Sequence, residues 1–275
     1  MEKIGIVGLG IIGSAVYELF KKSEYNIYCY DPNVDFCHLE KCKKEVSECN
    51  YIFICVPTNY EGSFGGLDMT IVEEVICTYS PKIFISCSAL QPGTADRLSR
   101  KYNKRIVVQP EYFGETVSHP LVNMGQQSFL ILGGESKDVD EVIDIYKTVY
   151  NANTKIRKVT KLEAEVIKLS ENRAISYKVA QCQELYDVCQ ATGIDYNIVR
   201  EAIYGDDPRF NLWWTFIYTE KRGMSSKCIP KDVYAWEAWA KECGVEPELT
   251  SALLKYNDKL INKNVKKEMW TLSLS

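Results

Sequence analysis

The chain has 275 residues, of which 46% are hydrophobic and 25% charged, and its formal net charge is −4. This composition is typical of a globular protein with one or two domains, and the lack of a basic surplus argues against nucleic acid or anionic lipid as a partner. Eleven cysteines without a Cys-x-x-Cys pair and only two histidines predict reduced thiols, a cytoplasmic location and no metal site. We also expect no signal peptide and no membrane span, because no apolar run is long enough.

Residues 1–154 are predicted to form an α/β domain of the Rossmann type, with a doubly wound parallel sheet. Short apolar runs alternate with helical patterns there, as in sheets that helices cover on both faces. Ligands of such sheets bind at the carboxyl ends of the strands. The predicted strands are residues 3–7, 25–30, 51–56, 82–87, 105–108 and 129–132, and the predicted helices are residues 14–22, 68–79 and 138–150.

A glycine-rich segment between the first strand and the first helix predicts a dinucleotide site. Its Gly-x-Gly-x-x-Gly pattern allows a tight turn at Gly8, close approach of a pyrophosphate at Gly10 and close packing at Gly13. Asp31 ends the second strand and is suited to bind ribose hydroxyls and to repel a 2′-phosphate, which favours NAD over NADP; a flavin or a purely structural turn are the alternatives. The predicted cofactor contacts are Gly8, Gly10, Ile11, Ile12, Gly13 and Asp31.

Three further segments lie at or soon after the ends of predicted strands and are therefore expected at the same crevice. They contribute a proline, hydroxyls and carboxylates, which are the groups that contact a cofactor or a substrate. The segments are Val56-Pro57-Thr58, Ser88-Ala89 and Glu111-Tyr112-Phe113-Gly114-Glu115.

Residues 155–275 are predicted to form an all-helical domain with one long helix. Thr160 and Glu163 have the spacing of a capping box, and the helical pattern then continues to about Thr192. Lys168 and Asn172 are four residues apart, so they share one face of this helix. Shorter helices are predicted at residues 195–204, 231–243 and 247–261.

A cysteine near the end of the chain lies in a sequence that could activate a thiol. Cys228 precedes Lys231 by three residues and Asp232 by four. A nearby cation favours the thiolate, which is the nucleophilic form of cysteine. Because most cysteines are small buried apolar residues, this pattern alone does not establish a catalytic thiol.

In their order along the chain, these motifs resemble the UDP-glucose/GDP-mannose dehydrogenases, which oxidise the primary alcohol of a sugar nucleotide to a carboxylate with two NAD. The resemblance covers nearly all 275 residues, and the order of the motifs carries it. They are the glycine segment, Tyr30-Asp31-Pro32-Asn33, residues 53–58, 88–94 and 110–115, Glu163 to Asn172, Gly205 to Arg209 and Cys228-Ile229-Pro230-Lys231-Asp232.

The resemblance implies a catalytic role for five residues. Cys228 attacks the aldehyde formed in the first oxidation, and the second oxidation then gives a thioester. Lys168 and Asn172 stabilise the oxyanion. Glu111 is the candidate general base in the hydrolysis, and Asp232 helps to position the water.

The resemblance also implies binding roles. Glu111, Tyr112, Phe113, Lys168, Asn172 and Arg209 are expected at the substrate, and the implied cofactor contacts are Val56, Pro57, Thr58, Ser88, Glu115 and Lys231. Arg209 resembles an arginine that reaches the sugar of a neighbouring subunit, which implies a homodimer built on the long helix.

The sequence also departs from the family pattern. Ala89 replaces a threonine, residues 222–227 replace a glycine-rich run, and the chain stops at Ser275, where the family usually continues into a second, nucleotide-holding domain that we expect this protein to lack. Two alternatives therefore remain: a single hydride transfer of the β-hydroxyacid dehydrogenase type, and a degenerate NAD-binding protein with a regulatory or binding role.

Overall fold

The computed structural model describes residues 2–62, 65–114, 121 and 124–272, and in it the chain forms two compact units, Met1–Lys168 and Leu169–Ser275. The first unit combines a central sheet with helices. Its strands are β1 (Lys3–Val7), β2 (Asn26–Tyr30), β3 (Tyr51–Ile54), β4 (Tyr60–Glu61), β5 (Gly66–Leu67), β6 (Ile83–Ser86), β7 (Ile106–Val108), β8 (Phe129–Gly133) and β9 (Lys155–Val159), and its helices are α1 (Ile11–Phe20), α2 (Glu40–Ser47), α3 (Thr70–Thr78), α4 (Thr94–Tyr102) and α5 (Ser136–Tyr146).

Seven strands form the main sheet in the order β2-β1-β3-β6-β7-β8-β9, and β4 pairs with β5 in a separate antiparallel hairpin. Neighbouring strands of the main sheet run parallel except β7 and β8. Alternate residues of a strand point to opposite faces, so Phe53 packs with α1 and α5 while Ile52 and Ile54 pack on the α2–α4 side. The predicted Rossmann fold is confirmed.

Strand β9 was not predicted, since residues 155–159 were assigned to the helical domain. Its sequence is Lys-Ile-Arg-Lys-Val; the three basic side chains are exposed, and the isoleucine and valine are half-buried. An edge strand carries charged residues that discourage further strand pairing. It therefore lacks the apolar run by which the central strands were recognised.

Helix α6 (Lys161–Thr192) begins in the first unit and continues into the second, which also contains α7 (Tyr196–Glu201), α8 (Ile229–Glu242) and α9 (Glu248–Leu272). The predicted capping box is present, because the Thr160 N–H donates to Glu163 Oε2 (2.7 Å) and the Glu163 N–H donates to Thr160 Oγ1 (3.2 Å). After α7 the chain continues as a π-helix over Ala202–Asp206. Among the described residues, no helix is both long and apolar enough to span a bilayer.

A buried carboxylate near the start of α6 caps α4. Glu165 is 1% exposed and accepts hydrogen bonds from the backbone N–H groups of Gly93 (2.6 Å) and Ala95 (2.8 Å). These amides are at the amino end of α4, where backbone donors lack partners within the helix. Burial raises the pKa of Glu165 to about 7 despite these two bonds.

Candidate active site

The glycine segment between β1 and α1 has the geometry of a dinucleotide-binding turn. Gly8 has φ of +90°, and a Cβ there would lie 2.5 Å from the carbonyl oxygen of Cys55. A Cβ on Gly13 would lie 1.8 Å from the carbonyl oxygen of Gly8, whereas a Cβ on Gly10 would meet nothing within 4 Å. Packing thus requires glycine at the two outer positions, and the middle position is open towards a ligand.

The surroundings of this turn fit the phosphates and ribose of NAD. Helix α1 has no acidic residue in its first turn and no side-chain cap, so its amide dipoles suit a pyrophosphate. Asp31 accepts hydrogen bonds from the N–H groups of Leu9 (Oδ2, 2.7 Å) and Asn33 (Oδ1, 2.8 Å). A carboxylate has about four acceptor positions, which leaves capacity for ribose hydroxyls.

The other predicted cofactor residues of this unit lie around the carboxyl ends of the strands. Ser88 Oγ donates to the carbonyl oxygens of Val56 (2.7 Å) and Ile54 (3.3 Å), so its hydroxyl joins the ends of β3 and β6. Thr58 is buried and Pro57 is exposed. Ile11 is exposed and Ile12 half-buried, while Glu115 lies outside the described residues.

Glu111 follows β7 and is 5% exposed. Its Oε1 accepts a hydrogen bond from Gln109 Nε2, and its Oε2 is buried without a hydrogen-bond partner among the described residues. Burial raises the pKa of Glu111 to about 8, although Gln109, the charge of Lys168 and the Tyr112 N–H act in the opposite direction. A carboxyl group in this state can accept or release a proton near neutral pH, as a general base must.

Lys168 lies close to this carboxyl group. Its ammonium is 5.1 Å from the centre of the buried Tyr112 ring, a cation–π contact. Phe113 is half-buried. Within this unit, the fold therefore brings Glu111, Tyr112 and Lys168 together.

In the second unit, the fold joins three further predicted residues. Asn172 is 6% exposed and donates through Nδ2 to Asp232 Oδ2 (2.6 Å). Lys231 Nζ donates to Asp232 Oδ1 (2.6 Å), and Asp232 is 1% exposed. The buried carboxylate is thus paired with both an amide and an ammonium, so Lys231 has a local role besides its predicted cofactor contact.

Cys228 is exposed and immediately precedes α8, with Pro230 in the first turn of the helix. Its carbonyl oxygen accepts a hydrogen bond from the Asp232 N–H (3.3 Å). This position places the residue at the positive end of the α8 dipole, which favours a thiolate.

The loop before Cys228 is held by α9. The Asn257 side chain accepts from the Met224 N–H (2.6 Å) and donates to the Met224 carbonyl oxygen (3.1 Å). Gly223 has φ of +82°, and a Cβ there would lie 2.8 Å from Asn257 Oδ1. The backbone conformation and the packing therefore require glycine at position 223.

Arg209 is 80% exposed in its side chain and pairs with Asp207 through Nη2 (2.6 Å). Neither side chain is buried. The predicted reach of Arg209 towards a neighbouring subunit stays a prediction.

Sequence reasoning missed Gln109, Tyr146 and Asn257. Gln109 offered a signal, because an uncharged polar residue follows a buried strand one position before Pro110-Glu111. Tyr146 offered none, since it fits the apolar face of α5 like any core aromatic. Asn257 likewise fits the polar pattern of a surface helix.

Residues 162–259 match the model of the UDP-glucose/GDP-mannose dehydrogenase family, central domain. The match lies within the helical part of the chain. It is similar to the UDP-glucose 6-dehydrogenase TuaD of Bacillus subtilis, with 21% identity over 306 residues that cover 94% of this chain and 63% of TuaD. The chain spans 50 to 69% of the lengths of three such relatives.

Solved structures share the fold. A UDP-glucose dehydrogenase from Pyrobaculum islandicum matches with a TM-score of 0.77 and 19% identity, over 94% of this chain and 68% of that one. A 3-hydroxyisobutyrate dehydrogenase from Mycobacterium tuberculosis matches with a TM-score of 0.71 and 15% identity, over 94% of this chain and 93% of that one. These similarities confirm the architecture of a Rossmann domain with a long helix and further helices.

Proposed function

We propose that this protein is an NAD-dependent dehydrogenase that oxidises the primary alcohol of a nucleotide sugar, of the UDP-glucose to UDP-glucuronate type, through a thioester on Cys228. The observation that carries the proposal is the exposed Cys228 at the amino end of α8, a helix that also bears the buried Asp232 bonded to Asn172. Asn172, Cys228 and Asp232 all lie in the segment that matches the family model. In this arrangement the Asp232 carboxylate is held one helical turn after the proposed nucleophile, Cys228.

The proposed chemistry assigns each step to a side chain. Bound NAD supplies the hydride acceptor for the two oxidations at one carbon. Cys228 Sγ forms a bond to the aldehyde carbon, and the carbonyl oxygen takes the charge as an oxyanion. The Lys168 ammonium and an N–H of the Asn172 amide stabilise that oxyanion, giving a thiohemiacetal that is oxidised to the thioester.

Hydrolysis of the thioester then regenerates the enzyme. Glu111 accepts a proton from water at Oε2, and Asp232 helps to orient the water. The hydroxide oxygen bonds to the acyl carbon, and the carbon–sulfur bond breaks to release a carboxylic acid and the Cys228 thiolate. The acid then gives its proton to solvent and leaves as the carboxylate. Tyr112, Phe113 and the ion pair of Lys231 with Asp232 are proposed to line the path of the substrate and cofactor.

We propose in addition that the protein is a homodimer built on α6, with Arg209 contacting the sugar bound to the neighbouring subunit. The exposed position of the Arg209 side chain supports this role. Light scattering of the purified protein tests the dimer, and a monomer at all concentrations would contradict it.

The stoichiometry of NADH formation tests the proposed function. Purified protein supplied with UDP-glucose, GDP-mannose and related nucleotide sugars is expected to form two NADH for each substrate consumed. One NADH for each molecule of a small hydroxy acid would instead favour the β-hydroxyacid type of reaction, in which Lys168 and Asn172 retain a place but Cys228 has none. Tight NAD binding without turnover of any substrate would favour a regulatory or binding protein.

The two glycines on either side of Ile11-Ile12 are expected to respond differently to alanine. Gly10→Ala should leave the melting temperature of the ligand-free protein unchanged, because its Cβ meets no atom and its φ of −67° suits any residue. It should weaken NAD binding at least about tenfold by blocking the close approach of the pyrophosphate. Gly13→Ala should destabilise the fold itself, because its Cβ would overlap the Gly8 carbonyl. Calorimetry of folding and of NAD binding distinguishes these results, and unchanged affinity in Gly10→Ala would contradict the assigned site.

A further inference from the structure

A chain of buried hydrogen bonds leads from α5 to Glu111. The Tyr146 hydroxyl donates to Gln109 Oε1, and Gln109 Nε2 donates to Glu111 Oε1. Tyr146, Gln109 and Glu111 are 1%, 0% and 5% exposed. The Gln109 backbone is itself fixed, because its N–H donates to the Ser86 carbonyl oxygen (2.8 Å). The buried partners Tyr146 and Glu111 therefore orient the Gln109 amide.

These hydrogen bonds make the surroundings of the two carboxyl oxygens of Glu111 different. Oε1 is engaged by the amide of Gln109, whereas Oε2 is buried and has no hydrogen-bond partner among the described residues. An unpaired buried polar atom is costly to retain, and a ligand, a water molecule or a reacting group can supply the missing partner. Oε2 is therefore the oxygen that is available for chemistry.

We propose that Gln109, oriented by Tyr146, is a positioning residue that holds Glu111 by Oε1 and so assigns Oε2 to accept the proton of the hydrolytic water. This inference rests on the proposed function, in which Glu111 is the general base. Neither Gln109 nor Tyr146 reacts, and both act through Glu111.

The charge state of Glu111 is expected to depend on this amide. Among the described residues, the titratable groups that interact with the carboxyl group are Lys168 on α6, Tyr146 at the end of α5, Tyr150 after that helix, and Cys87 after β6. Lys168 favours the carboxylate, and burial opposes it. The N–H of Gln109 donates to the charged form, so its removal should make Glu111 harder to deprotonate.

Two substitutions each remove one part of this series of hydrogen bonds with little change in side-chain shape. Gln109→Met keeps a similar volume but has no amide, and Tyr146→Phe removes only the hydroxyl that orients the amide. Tyr79→Phe is the matched control, because the Tyr79 hydroxyl is also buried, has no hydrogen-bond partner among the described residues and belongs to the core on the other face of the sheet.

The ionisation of Glu111 is measured first in the ligand-free protein. The infrared band of its protonated carboxyl group is assigned by its loss in Glu111→Gln and followed against pH. We expect the midpoint in Gln109→Met to rise by about one pH unit, a tenfold tighter proton, with a smaller rise in Tyr146→Phe and none in Tyr79→Phe. In turnover with a nucleotide sugar, the midpoint of the pH profile of kcat should shift in each variant by the same amount as the infrared midpoint. KM and the affinity for NAD should stay constant.

The two readouts separate this inference from the proposed function. A midpoint that moves in neither Gln109→Met nor Tyr146→Phe, in folded protein, overturns the positioning role even if nucleotide sugars are oxidised. A midpoint that moves as expected in a protein without nucleotide-sugar oxidation supports control of Glu111 by the amide and overturns the proposed function instead.

Discussion

Cys228→Ala is expected to lower the rate of nucleotide-sugar oxidation to the carboxylate by at least about a thousandfold, because no other group in the proposed site can form the acyl bond. The residue is exposed, so its replacement leaves no buried cavity and should not change folding. The measurement is NADH formation in single and multiple turnovers, together with mass spectrometry of the protein for the acyl adduct.

Cys243 provides a matched control for this substitution. It is also exposed and lies at the carboxyl end of the same helix, α8. The helix dipole favours a thiolate at the amino end, where Cys228 lies. Cys243→Ala should retain full activity, because Cys243 has no role in the proposed chemistry. Full activity in Cys228→Ala, or an equal loss in both variants, would rule out the proposed nucleophile.

Glu111→Gln is expected to remove a pH dependence of stability. Burial raises the pKa of Glu111 to about 8 from an ordinary value of 4.5, so the folded protein holds this proton more tightly than the unfolded chain does. The free energy of unfolding should therefore fall as the pH rises from about 4.5 to about 8, by about 1.4 kcal/mol for each pH unit and a few kcal/mol in all. Because the amide does not ionise, the variant should be the more stable protein at about pH 9.

Denaturant unfolding at about pH 5 and about pH 9 tests this difference. Glu184 on α6 is exposed, so Glu184→Gln should keep the pH dependence of the wild type. Glu111→Gln should also slow thioester hydrolysis by about 10² to 10⁴-fold, with accumulation of the acyl-protein after a burst of NADH. An unchanged pH dependence would show that Glu111 ionises freely in the fold.

The fold class followed from patterns that need no tertiary information. The continuous apolar runs at β3 and β6 are typical of strands covered on both faces, and the glycines at 8, 10 and 13 specify the turn between β1 and α1. The capping residues Thr160 and Glu163 likewise fix the start of α6. Each of these signals is local, since backbone geometry and burial within one element produce it.

The elements that were missed have weak local signals. Strand β9 is a charged edge strand, and its existence depends on pairing with β8. The antiparallel pairing of β7 with β8 is a property of the connection between them, which no periodicity records. Both depend on where distant parts of the chain meet.

The sequence by itself determined the dinucleotide-binding turn, the long helix and the set of candidate residues from Glu111 to Asp232. Only the tertiary structure decided which of those residues are buried and which are bonded to each other. Asn172 and Asp232 are separated by 60 residues and are bonded to each other, and Glu111 is buried and held by Gln109, which Tyr146 orients from α5. Burial and hydrogen-bond pairing set the charge and orientation of a side chain, and both arise from contacts between segments that are remote in the sequence.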